Sequence, residues 1–296
     1  MARNSRTLAE VTVVGPDRKG VVARVTSYIF EHQGNIEKIN QNVIRGLFGM
    51  QLEASFQRDV LDDDEFRKGL QRLGKKLVME IRVHFEEPNR PKNMAVLVSK
   101  ERHCIEAILE AQKSREIKVN IPLIVGSDKS LKHLASKYDV PFFSVNHANQ
   151  AIAEERILKL FDRFNIDLIV LGRYMRILSP KFVWRYPNRI INVHPSLLPA
   201  FPGAYAYVQA YEKGAQIVGC TAHFVIEELD QGPIICQESF KVRPNETLEY
   251  IRKRGMQQEA RTLLIAIKLY LANKLEVYWG KVHFKKAPKQ GLRAKH

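Results

Sequence analysis

Long apolar runs and cysteine are the two features that this 296-residue sequence lacks most clearly. No apolar run is long enough to cross a membrane as a helix, so we expect no membrane association. The three cysteines, Cys104, Cys220 and Cys236, match no metal-ligand spacing and leave one unpaired. The first residues also lack the apolar core of a secretory signal. Together these absences favour a cytoplasmic location.

The sequence also has fewer acidic than basic residues. It contains 47 Lys and Arg but only 32 Asp and Glu, which gives a net charge of +15. Such an excess attracts polyanions. No zinc-finger, RNP-type or helix-turn-helix pattern accompanies it, so we expect no nucleic-acid partner and favour an anionic metabolite. Part of the charge lies in residues 285–296, which we interpret as a basic tail.

Residues 1–88 have the pattern of a small domain of their own. The predicted elements are a strand over 9–14, a helix over 21–33, strands over 36–43 and 48–56, a helix over 62–75 and a strand over 78–85. This βαββαβ order is that of a ferredoxin-like sandwich. We expect a turn at residues 15–17, and a buried helix face formed by Val22, Val25, Ile29 and Phe30.

Strand-helix alternation begins after a polar, proline-containing linker at residues 89–93. The predicted strands are residues 95–98, 121–125, 141–145, 167–171 and 190–193, and helices separate the first four. Alternation of this kind predicts an α/β domain over residues 94–284 with a mostly parallel, doubly wound sheet. Ligands of such sheets bind at the carboxyl ends of the strands.

Asn192 and His194 follow the apolar pair Ile190-Ile191 at one of these strand ends. Alternation along a strand puts their side chains on the same face. A polar pair that merely caps the strand is an equally good interpretation of these two residues alone. Asp230, in an acidic turn between two later strands, adds a carboxylate. Amide, imidazole and carboxylate together supply the groups that acyl transfer needs.

The opening VTVVGPDRKGVVARVTSYIFEHQGNI resembles the ACT family of small regulatory domains. That resemblance implies an amino-acid effector, with glycine or methionine the expected ligands. The small core and the exposed sheet edge expected of so short a domain also predict a homo-oligomer assembled at least partly through residues 1–88. A dimerisation module with an empty site is the alternative. The residues that the resemblance assigns to the effector site are Gly15, Asp17, Gly20, Gly34 and Asn35.

NVHPSLLPAFPG and the later GCTAHFVIEELDQGPII resemble the folate-dependent formyltransferase family, as does LGRYMRILSP. The resemblance implies that Asn192 and His194 contact a formyl oxygen, and that Asp230 positions water or assists proton movement. It needs no cofactor and no metal, since the folate is the substrate. The residues that it assigns to the pterin are Met175, Arg176, Ile177, Leu178, Glu227, Glu228 and Leu229.

The order of an ACT-like and a formyltransferase-like domain is similar to that of the deformylase branch, which hydrolyses 10-formyltetrahydrofolate and supplies formate for purine synthesis. VSKERHC, residues 98–104, also resembles that branch and lacks the glycines of a phosphate-binding loop. His194-Pro195-Ser196 instead has the form found in transformylases. The alternative hypothesis is therefore transfer of the formyl group to a small amine. A folate sensor without turnover is the third hypothesis.

Overall fold

The computed structural model describes residues 6–57, 61–85, 87 and 90–285. Pro88 and Asn89, at the predicted linker, and residues 286–296 of the predicted tail lie outside the described residues. The chain forms two compact units, one from Met1–Arg90 with Leu178–Pro187, the other from Pro91–Ile177 with Asn188–His296. In chain order the elements are β1 Arg6–Pro16, α1 Val21–Glu31, β2 Asn35–Ile44, β3 Leu47–Gln57, α2 Asp63–Leu77, β4 Glu80–Phe85, β5 Asn93–Val98, α3 His103–Lys113, β6 Asn120–Gly126, α4 Lys132–Lys137, β7 Phe142–Ser144, α5 Gln150–Arg163, β8 Leu168–Gly172, α6 Pro180–Val183, β9 Ile190–His194, α7 Ala206–Glu212, β10 Ile217–Phe224, β11 Ile234–Lys241, α8 Leu248–Leu271, β12 Leu275–Tyr278 and β13 Lys281–Phe284.

The first unit is the ferredoxin-like sandwich that the sequence predicts. Its four strands lie in the order β2-β3-β1-β4, and each neighbouring pair is antiparallel. The two helices α1 and α2 bury their apolar faces in one core with β1 and β3, centred on Phe56, Phe66 and Leu52. The βαββαβ prediction is therefore confirmed.

Two local predictions in this unit are wrong. Residues 15 and 16 do not form a turn, because β1 continues to Pro16, which pairs with Leu47 of β3. Proline is tolerated there since β4 pairs with β1 only as far as Val14, so no strand on that side needs a donor. Phe30 is 79% exposed, whereas Val25 is fully buried. At about 100° per residue, Phe30 lies roughly 140° around the helix from Val25.

A segment from the second half of the sequence, Leu178–Pro187, completes the first unit. Trp184 packs so closely on Gly49 that a Cβ there would lie 2.2 Å from its ring. Arg185 is buried and donates from Nε to Glu80 Oε1 at 2.7 Å. Burial alone would raise the pKa of the Glu80 carboxyl. The guanidinium groups of Arg185 and then Arg82 outweigh this effect, and the pKa is lowered from 4.5 to about 2.

The Glu80–Arg185 pair predicts an acid-sensitive first unit. Because the folded pKa of Glu80 is about 2 and its ordinary value 4.5, its contribution is complete above pH 4.5 and is lost as the pH falls towards 2. A Glu80→Gln variant should be less stable at pH 7, and its stability should change less between pH 5 and 3. Urea unfolding followed by Trp184 fluorescence, with Trp279 replaced by Phe, measures this. If the free energy of unfolding changed equally with pH in wild type and Glu80→Gln, this prediction would be wrong. Glu31→Gln, at an exposed carboxyl, is the control and should keep the wild-type pH dependence.

The second unit contains a seven-stranded sheet in the order β11-β10-β9-β8-β5-β6-β7. Five neighbouring strands of this sheet are parallel to one another, namely β9, β8, β5, β6 and β7. The other two, β10 and β11, are antiparallel to their neighbours. The mostly parallel sheet is therefore confirmed. α3 and α8 cover one face, where Ile108, Val170 and Leu263 belong to one buried core. The parallel strands end at one edge, which sets the position of the site.

α8, at 24 residues, is long enough to cross a membrane but is interrupted by charged side chains. Within the ranges that the structure describes, no helix combines the length and the apolar character of a membrane span.

Candidate active site

β9 places Asn192 and His194 at the carboxyl edge of the sheet. Ile191 and Val193, which alternate with them, point into the buried core. β9 also pairs antiparallel with β10, so that Asn192 lies opposite His223 and His194 opposite Thr221. Four polar side chains from two strands therefore share one face of the sheet, at the end of the parallel strands.

Both ring nitrogens of His194 face oxygen acceptors. Nδ1 lies 3.3 Å from Asp230 Oδ2, and Nε2 lies 3.0 Å from the carbonyl oxygen of Phe201. The His194 and Asp230 side chains are each only 5% exposed. The ring can donate to both acceptors only when each of its nitrogens carries a proton. A formyl oxygen could receive the Nε2 proton only by replacing the Phe201 carbonyl.

Asp230 is held by its backbone and by two donors. Its φ of 58° lies in the left-handed region, which turns the carboxylate back towards β9. Oδ2 also accepts from the Gly203 amide at 2.9 Å. Burial would raise the pKa of the Asp230 carboxyl, but His194 and the Gly203 amide outweigh it and the pKa is lowered. The carboxylate is thus ionised near neutral pH. Among the described residues none donates a hydrogen bond to Oδ1.

His223 fixes the amide of Asn192. Its Nδ1 lies 2.9 Å from the Phe224 carbonyl and therefore carries a proton. Nε2 is then an acceptor and lies 3.2 Å from Asn192 Nδ2. Burial lowers the pKa of the His223 ring, which keeps it neutral and preserves this tautomer. Nδ2 gives one hydrogen to His223 and keeps its second for a ligand.

The loop after β9 is braced by β10 and β11. Thr221 Oγ1 donates to the Ser196 carbonyl at 2.7 Å and accepts from the Leu198 amide at 2.9 Å. Gln237 Nε2 donates to both the Leu198 carbonyl and Thr221 Oγ1 at 2.9 Å. These bonds fix the course of the loop that carries the Phe201 carbonyl and the Gly203 amide to the site.

The loop after β8 carries three of the residues assigned to the pterin. Met175, Arg176 and Ile177 are all exposed. The exposed fraction is 58% for Met175 and 64% for Ile177, so neither apolar residue belongs to the core. The Met175 amide donates to Ser99 Oγ at 3.0 Å, and Gln150 Nε2 donates to the Ile177 carbonyl at 2.9 Å. The loop is thus fixed by its backbone, with its apolar side chains free.

The remaining residues assigned to the pterin are divided. Leu178 is buried and is grouped with the first unit, whereas the other assigned residues lie in the second unit. Glu227, Glu228 and Leu229 lie in the loop that ends at Asp230, where the last two are exposed and Glu227 is half-buried. These placements are compatible with a ligand-facing loop beside the carboxylate.

Comparison with known proteins decides the family. The sequence pattern of the formyl transferase family matches residues 92–267, and that of the ACT domain matches residues 9–84. A Synechocystis protein named formyltetrahydrofolate deformylase is 34% identical over 91% of this chain and 95% of its own length. The chain belongs to the formyltetrahydrofolate deformylase family.

Solved structures show how far the similarity extends. A formyltetrahydrofolate deformylase from Pseudomonas syringae is 28% identical, with a TM-score of 0.65 and coverage of 95% of both chains. A glycinamide ribonucleotide transformylase from Symbiobacterium toebii reaches 29% and 0.64, and covers 97% of that chain but only 69% of this one. The deformylase therefore matches across both units, whereas the transformylase matches about two thirds of the chain.

The sequence interpretation missed three polar residues of this deformylase-family site. His223, Thr221 and Gln237 touch Asn192 or brace the loop beside it. All three sit in strands whose alternation makes polar residues look like an ordinary solvent-facing row. One signal in the sequence could have identified His223. It lies a few residues before the acidic turn, and its neighbours in the sequence, Ala222 and Phe224, are apolar.

One group in the described residues could offer ligands to a metal: His103, Cys104 and Glu259, whose ligand atoms lie within 4.8 Å of one another. Glu259, however, already accepts from the Tyr207 hydroxyl at 2.8 Å and faces Arg173 Nε at 3.5 Å. Burial, and then Glu259, raise the pKa of the Cys104 thiol well above its usual range. A protonated thiol beside a carboxylate paired with arginine is a poor cation site.

The residues assigned to an effector do not come together within one chain. Gly20 immediately precedes α1, and its φ of 82° suits glycine, whereas Gly34 and Asn35 follow the other end of that helix. Asn35 pairs with Ser55, which also pairs with Leu8, seven positions from Gly15 on β1. At 3.4 Å per residue, Asn35 and Gly15 lie about 24 Å apart along the sheet. Asp17 lies near Gly15, where its amide donates to Gly46.

Proposed function

We propose that this protein hydrolyses 10-formyltetrahydrofolate to formate and tetrahydrofolate at the Asn192, His194 and Asp230 site. One observation carries the proposal: a buried imidazole lies 3.3 Å from an ionised carboxylate and beside an oriented amide. Similarity to named deformylases across both units supports water as the acceptor. No metal or redox cofactor enters the proposed reaction, and the folate is the substrate.

The chemistry can be assigned to these groups atom by atom. Water adds to the formyl carbon and gives one proton towards Asp230, whose Oδ1 has no competing donor among the described residues. The free hydrogen of Asn192 Nδ2 stabilises the oxyanion that forms, and His194 Nε2 joins it by leaving the Phe201 carbonyl. The bond from the formyl carbon to N10 then breaks. His194 supplies the proton that N10 needs, so tetrahydrofolate leaves neutral at that nitrogen. Collapse gives formic acid, whose remaining water proton passes back to His194. Asp230 releases the first water proton to solvent, and formate leaves as the anion.

A donor-only assay separates hydrolysis from transfer. The protein is incubated with 10-formyltetrahydrofolate in amine-free buffer, and formate and tetrahydrofolate are measured together. We expect equal amounts of both products, at a rate that added glycine amide or other small amines do not increase. Tetrahydrofolate that forms only after an amine is added would replace the hydrolase by a formyltransferase. Tight folate binding without either product would favour the sensor hypothesis.

The reaction would return one-carbon units as formate, the form from which purine synthesis can draw them. The cytoplasm suits this role, and the three free cysteines agree with a reducing compartment.

We further propose that the first unit assembles a homo-oligomer and binds an amino-acid effector such as glycine or methionine. Exposed apolar side chains support an interface, among them Phe30 at 79% and Val78 at 55% exposure. Since the assigned effector residues lie at two ends of the sheet, a site built from two copies explains them better than one within a chain. Sedimentation equilibrium of the full chain tests the assembly, and a monomer at micromolar concentration would refute it.

A further inference from the structure

The segment Leu178–Pro187, which we call the connecting segment, lies along the chain between two parts of the proposed active site. It begins directly after Ile177, the last of the three exposed residues of the pterin loop at 175–177. Two residues alone separate its other end from β9, the strand of Asn192 and His194. Its own contacts group it with the first unit. The chain therefore leaves the second unit after the pterin loop and returns just before the catalytic strand.

The connecting segment is stiff. Ser179 Oγ accepts from the Phe182 amide at 3.2 Å and so caps α6. The Trp184 amide donates to the Pro180 carbonyl at 2.9 Å, which continues the helical turn beyond the last residue of α6. The Phe182 side chain is fully buried. A displacement of the segment is therefore passed to its two ends rather than absorbed within it.

Three neighbouring residues of the first sheet hold this segment. Val14 of β1 pairs with Gly49 of β3 on one side and with Glu80 of β4 on the other. Trp184 packs on Gly49, where any Cβ would overlap the indole ring. Arg185 is buried and binds Glu80 through two guanidinium nitrogens. The first unit thus fixes the segment at two consecutive residues, by shape at Trp184 and by charge at Arg185.

A displacement of the connecting segment would affect its two ends unequally. At one end, β9 pairs with β8 on one side and with β10 on the other, and this pairing fixes the catalytic strand. At the other end, the pterin loop follows the last residue of β8. Its backbone is held by hydrogen bonds with the side chains of Ser99 and Gln150. The pterin loop is therefore the end that yields, and folate binding is the step that changes.

We propose that Trp184 and Arg185 are positioning residues through which the first unit sets the affinity of the pterin loop for folate, an inference that rests on the proposed function. The effect passes along the chain through a stiff segment that is covalently joined to the loop. The seated and the displaced loop are the two states that the contacts of the segment distinguish. Gly15, one of the residues assigned to the effector, follows Val14 in β1, so an effector bound there would lie beside both contacts.

Gly49→Ala tests the proposal because it displaces Trp184 without altering any residue of the second unit. We expect KM for 10-formyltetrahydrofolate to rise roughly fivefold or more, the lower end of coupling between distant sites. Because only binding is affected, kcat should stay within about twofold of wild type. Trp184→Leu removes the ring atoms that the new Cβ would meet, so adding Gly49→Ala to it should raise KM much less.

Gly69→Ala is the matched control. Its Cβ would overlap the Tyr28 hydroxyl, so it strains the same unit at a position away from the connecting segment. It should therefore keep the wild-type KM. Glu80→Gln serves as a second test that preserves shape, should Gly49→Ala not fold. Loss of the carboxylate charge weakens its bonds to Arg185, so KM should again rise with little change in kcat.

The proposal is wrong if Gly49→Ala and Glu80→Gln both keep the wild-type KM, or if kcat falls while KM stays constant. Equal increases of KM in Gly49→Ala and Gly69→Ala would also overturn it, because general loss of stability would then explain both. If wild type releases no formate, the proposed function fails, and calorimetric titration of tetrahydrofolate still tests the connecting segment. Weaker binding by Gly49→Ala than by Gly69→Ala would uphold the segment alone, and equal binding would reject it.

Discussion

Asp230→Asn should lower kcat for formate release by roughly 10²–10⁴-fold, the usual contribution of a positioned acid or base. The substitution removes the charge that His194 faces at 3.3 Å and the oxygen that accepts a proton from water. Shape is kept, and the amide oxygen can still accept from Gly203. Folding should therefore survive, as a melting curve close to that of wild type would show.

The low pKa of Asp230 adds a pH signature to this prediction. Since the pKa of the carboxyl is below its ordinary 3.8, Asp230 remains ionised over the whole range in which the protein is assayed. Any loss of activity between pH 8 and 5 must come from another group. Asp139→Asn, at an exposed aspartate that also has a positive φ, is the matched control and should retain wild-type kcat within about twofold. Wild-type turnover by Asp230→Asn would remove Asp230 from the mechanism.

Asn192→Ala is expected to lower kcat by roughly a hundredfold or more, because one donor to an oxyanion is worth about 3–4 kcal/mol. The oxyanion exists only during the reaction, so KM should change much less than kcat. Steady-state kinetics with saturating folate measures both. Gln257→Ala truncates a carboxamide at an exposed position of α8 and should leave both constants unchanged. A KM effect with wild-type kcat would make Asn192 a ground-state binding group instead.

The sequence predicted those parts of the fold that depend on local pattern. Alternation along β9 was sufficient to place Asn192 and His194 on one face, because a strand reverses side-chain direction at every residue. The approach of Asp230 depends on the pairing of β9 with β10 and on a left-handed residue in the following loop. Spacing along the chain contains neither. The sequence therefore connected Asp230 to the pair only through the chemistry that the three groups share and through the family resemblance.

Other differences come from tertiary packing. Leu178 lies in the motif LGRYMRILSP, which the sequence analysis treated as one segment of the second domain. In the structure the chain passes from the second unit to the first between Ile177 and Leu178. That passage depends on partners such as Gly49 and Glu80, which lie more than 90 positions away. His223 likewise acquires its role only through Asn192, its cross-strand neighbour. Residues whose roles depend on such distant partners look like ordinary surface or core positions in the sequence.

Isotope transfer from water tests the central claim most directly, because hydrolysis at this site must build one water oxygen into the formate. A single turnover of 10-formyltetrahydrofolate in H₂¹⁸O, quenched rapidly and analysed by mass spectrometry, should give formate with one ¹⁸O atom per molecule. Asp230→Asn should show the same label at a much lower rate. Formate that carries no ¹⁸O, or a formyl group recovered on an amine, would contradict attack by water.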